Sequence, residues 1–274
     1  MAFSLLSWNI EKFNYDKPAR VKTVAVAIKE HDPDVFGVLE FLAKDAARRL
    51  VRDFFPDYDF AFTDSKMGIE ILVGWRRGRF AQILYTQRRE LQVRNENLRP
   101  GGLLSVRQKG ATLFNNMLFL HTDSGTLPDE YRRRETMFGK IWSLKKALAA
   151  LPEQEGKARL IAVGDLNTMG RKDTPGAPKV TEDQEIAALS SATTKAGMQV
   201  LTKSAPKTWS NPSGSKKSNL DHMIASNDLA FKSQQVNGQS VQVVVDGWVN
   251  KTGPAKRSFI ENVSDHSMLF AEIA

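Results

Sequence analysis

At 274 residues, 41% of them hydrophobic and 26% charged, the chain can bury a large core and has the composition of an ordinary globular protein. Cysteine is absent, which excludes disulfides, thiolate metal centres and a cysteine nucleophile and leaves oxygen and imidazole as the metal donors. The net charge of +8 favours an anionic partner, such as nucleic acid or an acidic membrane surface, and no apolar run approaches the ~18 residues that would span a bilayer.

The N-terminal MAFSLLSWNI lacks a basic segment and a small-residue cleavage site, so it reads as a strand rather than a signal peptide, and a cytoplasmic protein is expected. The strand over Phe3–Trp8 runs into Asn9, Ile10 and Glu11; if it continues, Asn9 and Glu11 share one face. Asp16 is placed to cap a helix, with Pro18 in its first turn and Val21, Val24, Ala25 and Ile28 as its apolar face. His31-Asp32-Pro33-Asp34 ends that helix, His31 being read as a surface residue. A strand over Asp34–Leu39 then terminates in Glu40. A second amphipathic helix follows, with Leu42, Ala46, Leu50 and Phe54 on one side, and Phe55-Pro56 breaks it.

Strands are predicted over Tyr58–Thr63, Glu70–Trp75, Phe80–Thr86, Leu103–Arg107 and Ala111–Leu120, with turns at Arg77-Gly78 and Arg99-Pro100-Gly101-Gly102. The last of these strands finishes in His121, Thr122, Asp123, Ser124 and Gly125. The longest helix runs from Pro128 to Ala150, with Tyr131, Phe138, Ile141, Trp142 and Leu148 on its apolar side. Leu160–Val163 is a strand apolar on both faces that turns abruptly into Gly164, Asp165, Leu166 and Asn167. Asp and Asn there suit a turn, where they bond their own backbone, as well as they suit a site. Thr181-Glu182-Asp183-Gln184 forms a capping box for a helix reaching Gly197. Strands over Gln199–Leu201, Leu220–Ala225, Ser240–Val245 and Met268–Ile273 close a chain without linkers, read as a single domain over 1–274.

Strand, helix, strand, helix and then strands occur twice, the second time from about residue 111. Two such halves packed sheet on sheet, with helices outside, predict a four-layer α/β sandwich of two mainly antiparallel or mixed sheets. In each half the first two strands end in polar residues, Asn9/Glu11 and Glu40, then His121 and Asp165/Asn167. Leu220-Asp221-His222 and Ser264-Asp265-His266 add two clusters, so three of the four histidines border apolar strands beside Asp or Ser.

The set Asn9, Glu11, Glu40, His121, Asp165, Asn167, Asp221, Asp265 and His266 suits phosphodiester hydrolysis. That reaction needs charge neutralisation at the phosphate, an oriented water and a proton for the leaving oxygen. Oxygen ligands such as Glu40 select a hard cation, and histidine carries protons near neutral pH. His222, one residue along from Asp221, should face away and be structural. Glu70 is either a second acidic partner of His121 or a solvated charge.

Trp8-Asn9-Ile10-Glu11, Val38-Leu39-Glu40, Leu120–Gly125, Gly164–Asn167, Leu220-Asp221-His222 and Ser264-Asp265-His266 together resemble the motif series of the endonuclease/exonuclease/phosphatase superfamily, in the right order over nearly the whole chain. Its members include deoxyribonuclease I, exonuclease III-type abasic-site endonucleases, bacterial sphingomyelinases and inositol polyphosphate 5-phosphatases. The resemblance implies the same four-layer, deoxyribonuclease I-like sandwich and a Mg²⁺- or Mn²⁺-dependent phosphodiesterase. Glu40 would be the principal metal ligand, with Asn9, Asp265 and, where many relatives have Asp or another polar residue, Glu11 nearby. Asp165 would orient or activate the attacking water, and Asn167 would contact the phosphate or that water. His266, positioned by Asp221, would bind the phosphate or act as base. His121 resembles the histidine of deoxyribonuclease I and sphingomyelinases that protonates the leaving oxygen, which argues against the abasic-site branch. Leu39 stands where a glutamine is common before the metal glutamate, changing support around the metal rather than ligation.

Arg76, Lys207, Trp209, Lys216 and Lys217 are the candidate nucleic-acid contacts, Trp209 and its lysines lying in a loop that leads into Asp221. Arg132–Arg134 either tracks phosphates as well or forms the wet face of a helix. The expected substrate is nucleic acid, DNA first, cleaved by a monomer without an obligate protein partner. The alternatives are a lipid or inositol phosphoesterase, and a non-catalytic binding protein on the same fold.

Overall fold

The computed structural model describes residues 2–42 and 44–274. Its strands are β1 (Phe3–Phe13), β2 (Val35–Phe41), β3 (Tyr58–Phe62), β4 (Glu70–Arg76), β5 (Phe80–Arg88), β6 (Gly101–Gln108), β7 (Phe114–His121) and β8 (Leu160–Asp165). They continue with β9 (Met198–Val200), β10 (Trp209–Ser210), β11 (Lys217–Ser218), β12 (Asp221–Ser226), β13 (Gln234–Val236), β14 (Gln239–Val241), β15 (Val244–Asp246) and β16 (Met268–Ile273). The helices are α1 (Pro18–Glu30), α2 (Lys44–Phe54), α3 (Pro128–Ala149), α4 (Glu182–Lys195) and α5 (Gly253–Asn262).

Two six-stranded sheets carry the structure, ordered β15-β16-β1-β2-β4-β3 and β5-β6-β7-β8-β12-β9. Only β1–β2 and β7–β8 pair in parallel; their other neighbours are antiparallel. Alternation along each central strand builds the layers. In β7, Met117 and Phe119 enter the core between the sheets, while Leu118 and Leu120 meet Phe138, Ile141 and Leu148 of α3. In β2, Val35 and Leu39 face inward, while Phe36 and Val38 meet Val24, Ile28, Leu50 and Val51 of α1 and α2. The order of layers is helix, sheet, sheet, helix, as the sequence pattern predicts. Gly37 lets the sheets close, since a Cβ there would sit 2.0 Å from the Phe119 ring.

The halves are not divided as the sequence suggests. Residues 80–108 supply β5 and β6 to the second sheet, and β15–β16 return to the first, where Phe3 pairs with Ile273. The expected strand Ser240–Val245 is split because the N–H groups of Gln242 and Val243 both turn to the Thr202 carbonyl. Lys17, not Asp16, is the N-cap of α1; the Asp16 carboxylate accepts from Asn14 Nδ2 at 2.8 Å instead. Leu42 lies ahead of α2 and is exposed, the helix burying Ala46, Ala47, Leu50 and Val51. α5 was not anticipated, because Gly253-Pro254 reads as a breaker although proline is tolerated in a first helical turn. The Thr181–Gln184 capping box is present in both directions.

Candidate active site

Cross-strand register assembles the site before side chains are considered. In the second sheet His121 on β7 lies opposite Asp165 on β8, and Asp165 lies opposite Asp221 on β12. In the first sheet Asn9 on β1 lies opposite Leu39, the residue before Glu40, and Asp265 and His266 lie just ahead of β16, separated from it by Ser267. The side chains meet where the two sheets share a rim. Asn9 Nδ2 donates to Asp165 Oδ2 at 3.0 Å and to Glu40 Oε1 at 3.1 Å. His121 Nε2 lies 3.6 Å from Asp165 Oδ2 and 3.7 Å from Glu40 Oε1. His266 holds Asp221 Oδ2 through Nδ1 at 2.8 Å, and its Nε2 lies 3.7 Å from Asp165 Oδ2 and 3.8 Å from Asp265 Oδ1.

The backbone is strained where these groups are presented. Glu11, Glu40 and Asn167 take φ of 45°, 69° and 46°. Each such left-handed residue costs of order ~1–3 kcal/mol and persists only where its surroundings hold it. Glu40 is held by the Lys12 N–H on Oε2 at 3.0 Å. Asn167 gives its N–H to Asp165 Oδ1 at 3.0 Å and its Nδ2 to the Thr122 carbonyl at 3.2 Å. The bulge at Glu11 means that Asn9 and Glu11 do not simply share a strand face; the Glu11 N–H instead bonds Asn9 Oδ1 at 3.0 Å. The Asn9 amide nitrogen thus joins Glu40 to Asp165, while its oxygen keeps a second lone pair that a metal can use. Gly164 has φ 139°, and a Cβ there would stand 2.1 Å from the Leu120 carbonyl oxygen. Only glycine lets β8 bring Asp165 alongside His121.

Burial raises the Asp165 carboxyl above its ordinary value. Burial alone would strip His266 of its proton, but Asp221 and then Asp165 outweigh it and hold the imidazole well above its usual range. With two carboxylates around it, His266 keeps the shared proton and stands as a fixed cation. His121 is the opposite case: burial first, then Arg99, then His266 drive it well below the usual value. Its buried Nδ1 has no hydrogen-bond partner among the described residues.

Carboxylates crowd the other wall. Glu11 is raised by burial and then by Asp265, with Glu40 adding to the effect, and Asp265 is raised by burial with Glu40 and Asp221 contributing. Asp265 Oδ2 accepts from the Trp209 indole N–H at 2.6 Å, whereas its buried Oδ1 has no hydrogen bond among the described residues. An orphaned carboxylate oxygen inside a carboxylate cluster fits a hard divalent cation. Asp165, Asp221 and His266 also bring ligand atoms within 4.8 Å of one another. A protonated His266 has no lone pair to donate, so Glu40, Glu11 and Asp265 are the better donor set.

Arg99 belongs to this site and was read from sequence only as part of a turn. Burial lowers its pKa against the pull of Glu40, Asp165, Glu70 and Asp123, and its buried Nε has no partner among the described residues. The available signal was register: β6 runs antiparallel to β7, Gly102 pairing with Phe119, so a residue just before β6 reaches past His121.

The other residues singled out from the sequence fall in different places. Arg76 sits at the Val35 end of the first sheet, opposite the Glu40 rim, paired with Asp32 and Asp34. Lys207 is tied to Glu182 at 2.6 Å, and Trp209 uses its indole N–H on Asp265, while Lys216 and Lys217 stay exposed. Arg134 is fully buried and clamps Glu185 at 2.9 Å, neither wet nor a phosphate contact. Glu70 is buried and accepts from Thr63 Oγ1 at 2.6 Å and the Ser65 N–H at 2.8 Å, so it is neither solvated nor bonded to His121. His31 is no free surface residue, since Nε2 meets Asp246 Oδ2 at 2.9 Å against the Phe270 ring. His222 is structural, its Nε2 lying 2.9 Å from Thr168 Oγ1 and 3.0 Å from the Asn219 carbonyl.

With this geometry in view, residues 6–266 match the model of the Endonuclease/Exonuclease/phosphatase family. The chain belongs to that family. Its members are hydrolases of phosphodiesters or phosphate esters. No curated protein matches the sequence. Among solved structures, D. rerio TDP2 complexed with a single-strand DNA product is similar at TM-score 0.68 and 14% identity, covering 100% of this chain and 99% of that one. Truncated Caenorhabditis elegans TDP2 is similar at 0.65 and 17%, over 99% and 97% of the two chains. The Bacteroides thetaiotaomicron mannosyl-6-phosphatase is similar at 0.64 and 17%, over 99% of each. At these identities the likeness is one of fold. No helix among the described residues is long and apolar enough to cross a membrane.

Proposed function

We propose that the protein is a divalent-metal-dependent phosphodiesterase that cleaves a nucleic-acid strand, DNA first. The observation that carries the reading is that His266, between Asp221 and Asp165, meets at one rim a carboxylate cluster in which Asp265 Oδ1 is buried without a hydrogen bond among the described residues. A phosphate needs the first and a hard cation needs the second. Glu40, Glu11 and Asp265, with Asn9 beside them, would hold Mg²⁺ or Mn²⁺, which would supply charge neutralisation at the phosphate.

The chain's own groups do the rest. The His266 imidazolium binds a non-bridging phosphate oxygen, and Arg99 offers a second fixed donor from the β6 side. Asp165, aligned by Asn9 and the Asn167 N–H, orients the attacking water and takes its proton. His121, protonated once the anionic phosphate is bound, gives its Nε2 proton to the leaving oxygen, and the proton that Asp165 takes from the water restores it. Asn167 faces the phosphate or the water.

A substrate panel tests this: labelled single- and double-stranded DNA, RNA and mannose 6-phosphate, each with Mg²⁺ and with chelator. Metal-dependent cleavage of DNA is expected. Release of phosphate from the sugar phosphate alone, or DNA cleavage undiminished by chelator, contradicts it.

A further inference from the structure

The hairpin of β10 and β11 and the helix α5 form one wall beside the site. Trp209 bridges to His266, the Ser210 N–H bonds the Asp265 carbonyl at 3.0 Å, and the Trp248 indole N–H bonds the Thr208 carbonyl at 3.1 Å. On that wall Lys217 of β11 and Lys256 of α5 are brought together. Neither has an acidic partner among the described residues, and Lys256 Nζ stands 4.4 Å over the Trp248 ring. Lys256 is drawn below the ordinary lysine value by burial and then by Lys217 within reach of it. Two ammonium groups held side by side repel, and an anion between them relieves that repulsion. Lys216, exposed on the same hairpin, adds to the potential.

We propose that Lys217 and Lys256 form a subsite for a second, uncleaved phosphate of a nucleic-acid strand; this rests on the nucleic-acid reading above. Register sets the distance. The segment carrying His266, then β10, then β11 are successive neighbours, since Trp209 pairs with both His266 and Ser218. Two strand spacings place Lys217 roughly 10 Å from the cleavage residues. That separation is within reach of a phosphate close to the scissile one on the same strand.

The test is fluorescence anisotropy of a labelled single-stranded DNA oligonucleotide, long enough to cover the site and the lysine pair together, in chelator, over a salt series. Wild type is compared with Lys217→Gln/Lys256→Gln and with Lys109→Gln/Lys157→Gln, which removes the same charge from exposed positions at the opposite rim. The subsite variant should bind about tenfold more weakly at low salt, with a log Kd–log salt slope shallower by about 0.7 to 1.4, while the control matches wild type. Equal losses in both double variants, an unchanged subsite variant, or a wild type that does not bind the oligonucleotide would each overturn the proposal. Adding Mg²⁺ to the same wild-type complex separates the two readings: weakened binding in the variant without cleavage by wild type keeps the subsite and removes the nuclease.

Discussion

Glu40, Asp165 and His266 are far apart in sequence, yet each was readable because a polar residue borders an apolar strand, Glu40 and Asp165 at its end and His266 just ahead of it. Arg99 was not, because nothing local distinguishes a buried arginine from a turn residue; only the pairing of β6 with β7 aims it at His121. It is the sharpest prediction at the residue scale. Arg99→Ala should lower kcat/KM on DNA by about 10²-fold, the loss typical of one preorganised donor, with Arg99→Lys recovering part of it. Kinetics equal to wild type would remove Arg99 from the site. Gly164→Ala tests the strained entry to Asp165. With φ at 139° and a Cβ 2.1 Å from the Leu120 oxygen, it should destabilise by about 3 kcal/mol or more in urea unfolding. A variant as stable as wild type would show that β8 can approach β7 by another path.

Among the elements, amphipathic faces and end signals were legible where they were local. The α1 face and the Thr181–Gln184 cap formed as expected, because periodicity and capping depend on a few neighbouring residues. Arg134 shows where this fails. On a helical wheel it reads as solvated, but Glu185 of α4 and the carbonyls of Gly125 and Gly170 surround it. This buried pair ties α3 and α4 to the loops after β7 and β8. Arg134→Ala should cost about 3–5 kcal/mol, and Arg134→Met/Glu185→Leu less, because no unpaired charge is left behind. A single variant no worse than the double would contradict the clamp.

His31 of the turn after α1 likewise reaches Asp246 on β15. The hydrogen bond from His31 comes first among the causes holding the Asp246 carboxyl down to about 2, with burial opposing it. A carboxyl depressed on folding stabilises above its unfolded value, near ~3.9, and loses that contribution as pH falls toward the folded one. Thus Asp246→Asn should lower the Tm at pH 7, and the gap to wild type should narrow as pH falls from about 4 toward about 2. A gap independent of pH would assign the effect to packing.

For the whole molecule, the sequence pattern reached the four layers but not the exchange of strands between halves. β5 and β6 cross to the second sheet and β16 returns beside β1, pairings decided by long-range edges that no local pattern records. That exchange matters for function. Asp265 and His266 lie just ahead of β16, so its place beside β1 sets them at the rim where Asn9 and Glu40 face Asp165. The fold thus gathers His266 and a carboxylate cluster at one rim. The most direct measurement is cleavage of a labelled DNA strand with Mg²⁺ by wild type and by Glu40→Ala, with folding checked by circular dichroism. The account predicts metal-dependent cleavage by wild type and at least a ~10²-fold loss in the folded variant. Wild-type turnover by Glu40→Ala would contradict it.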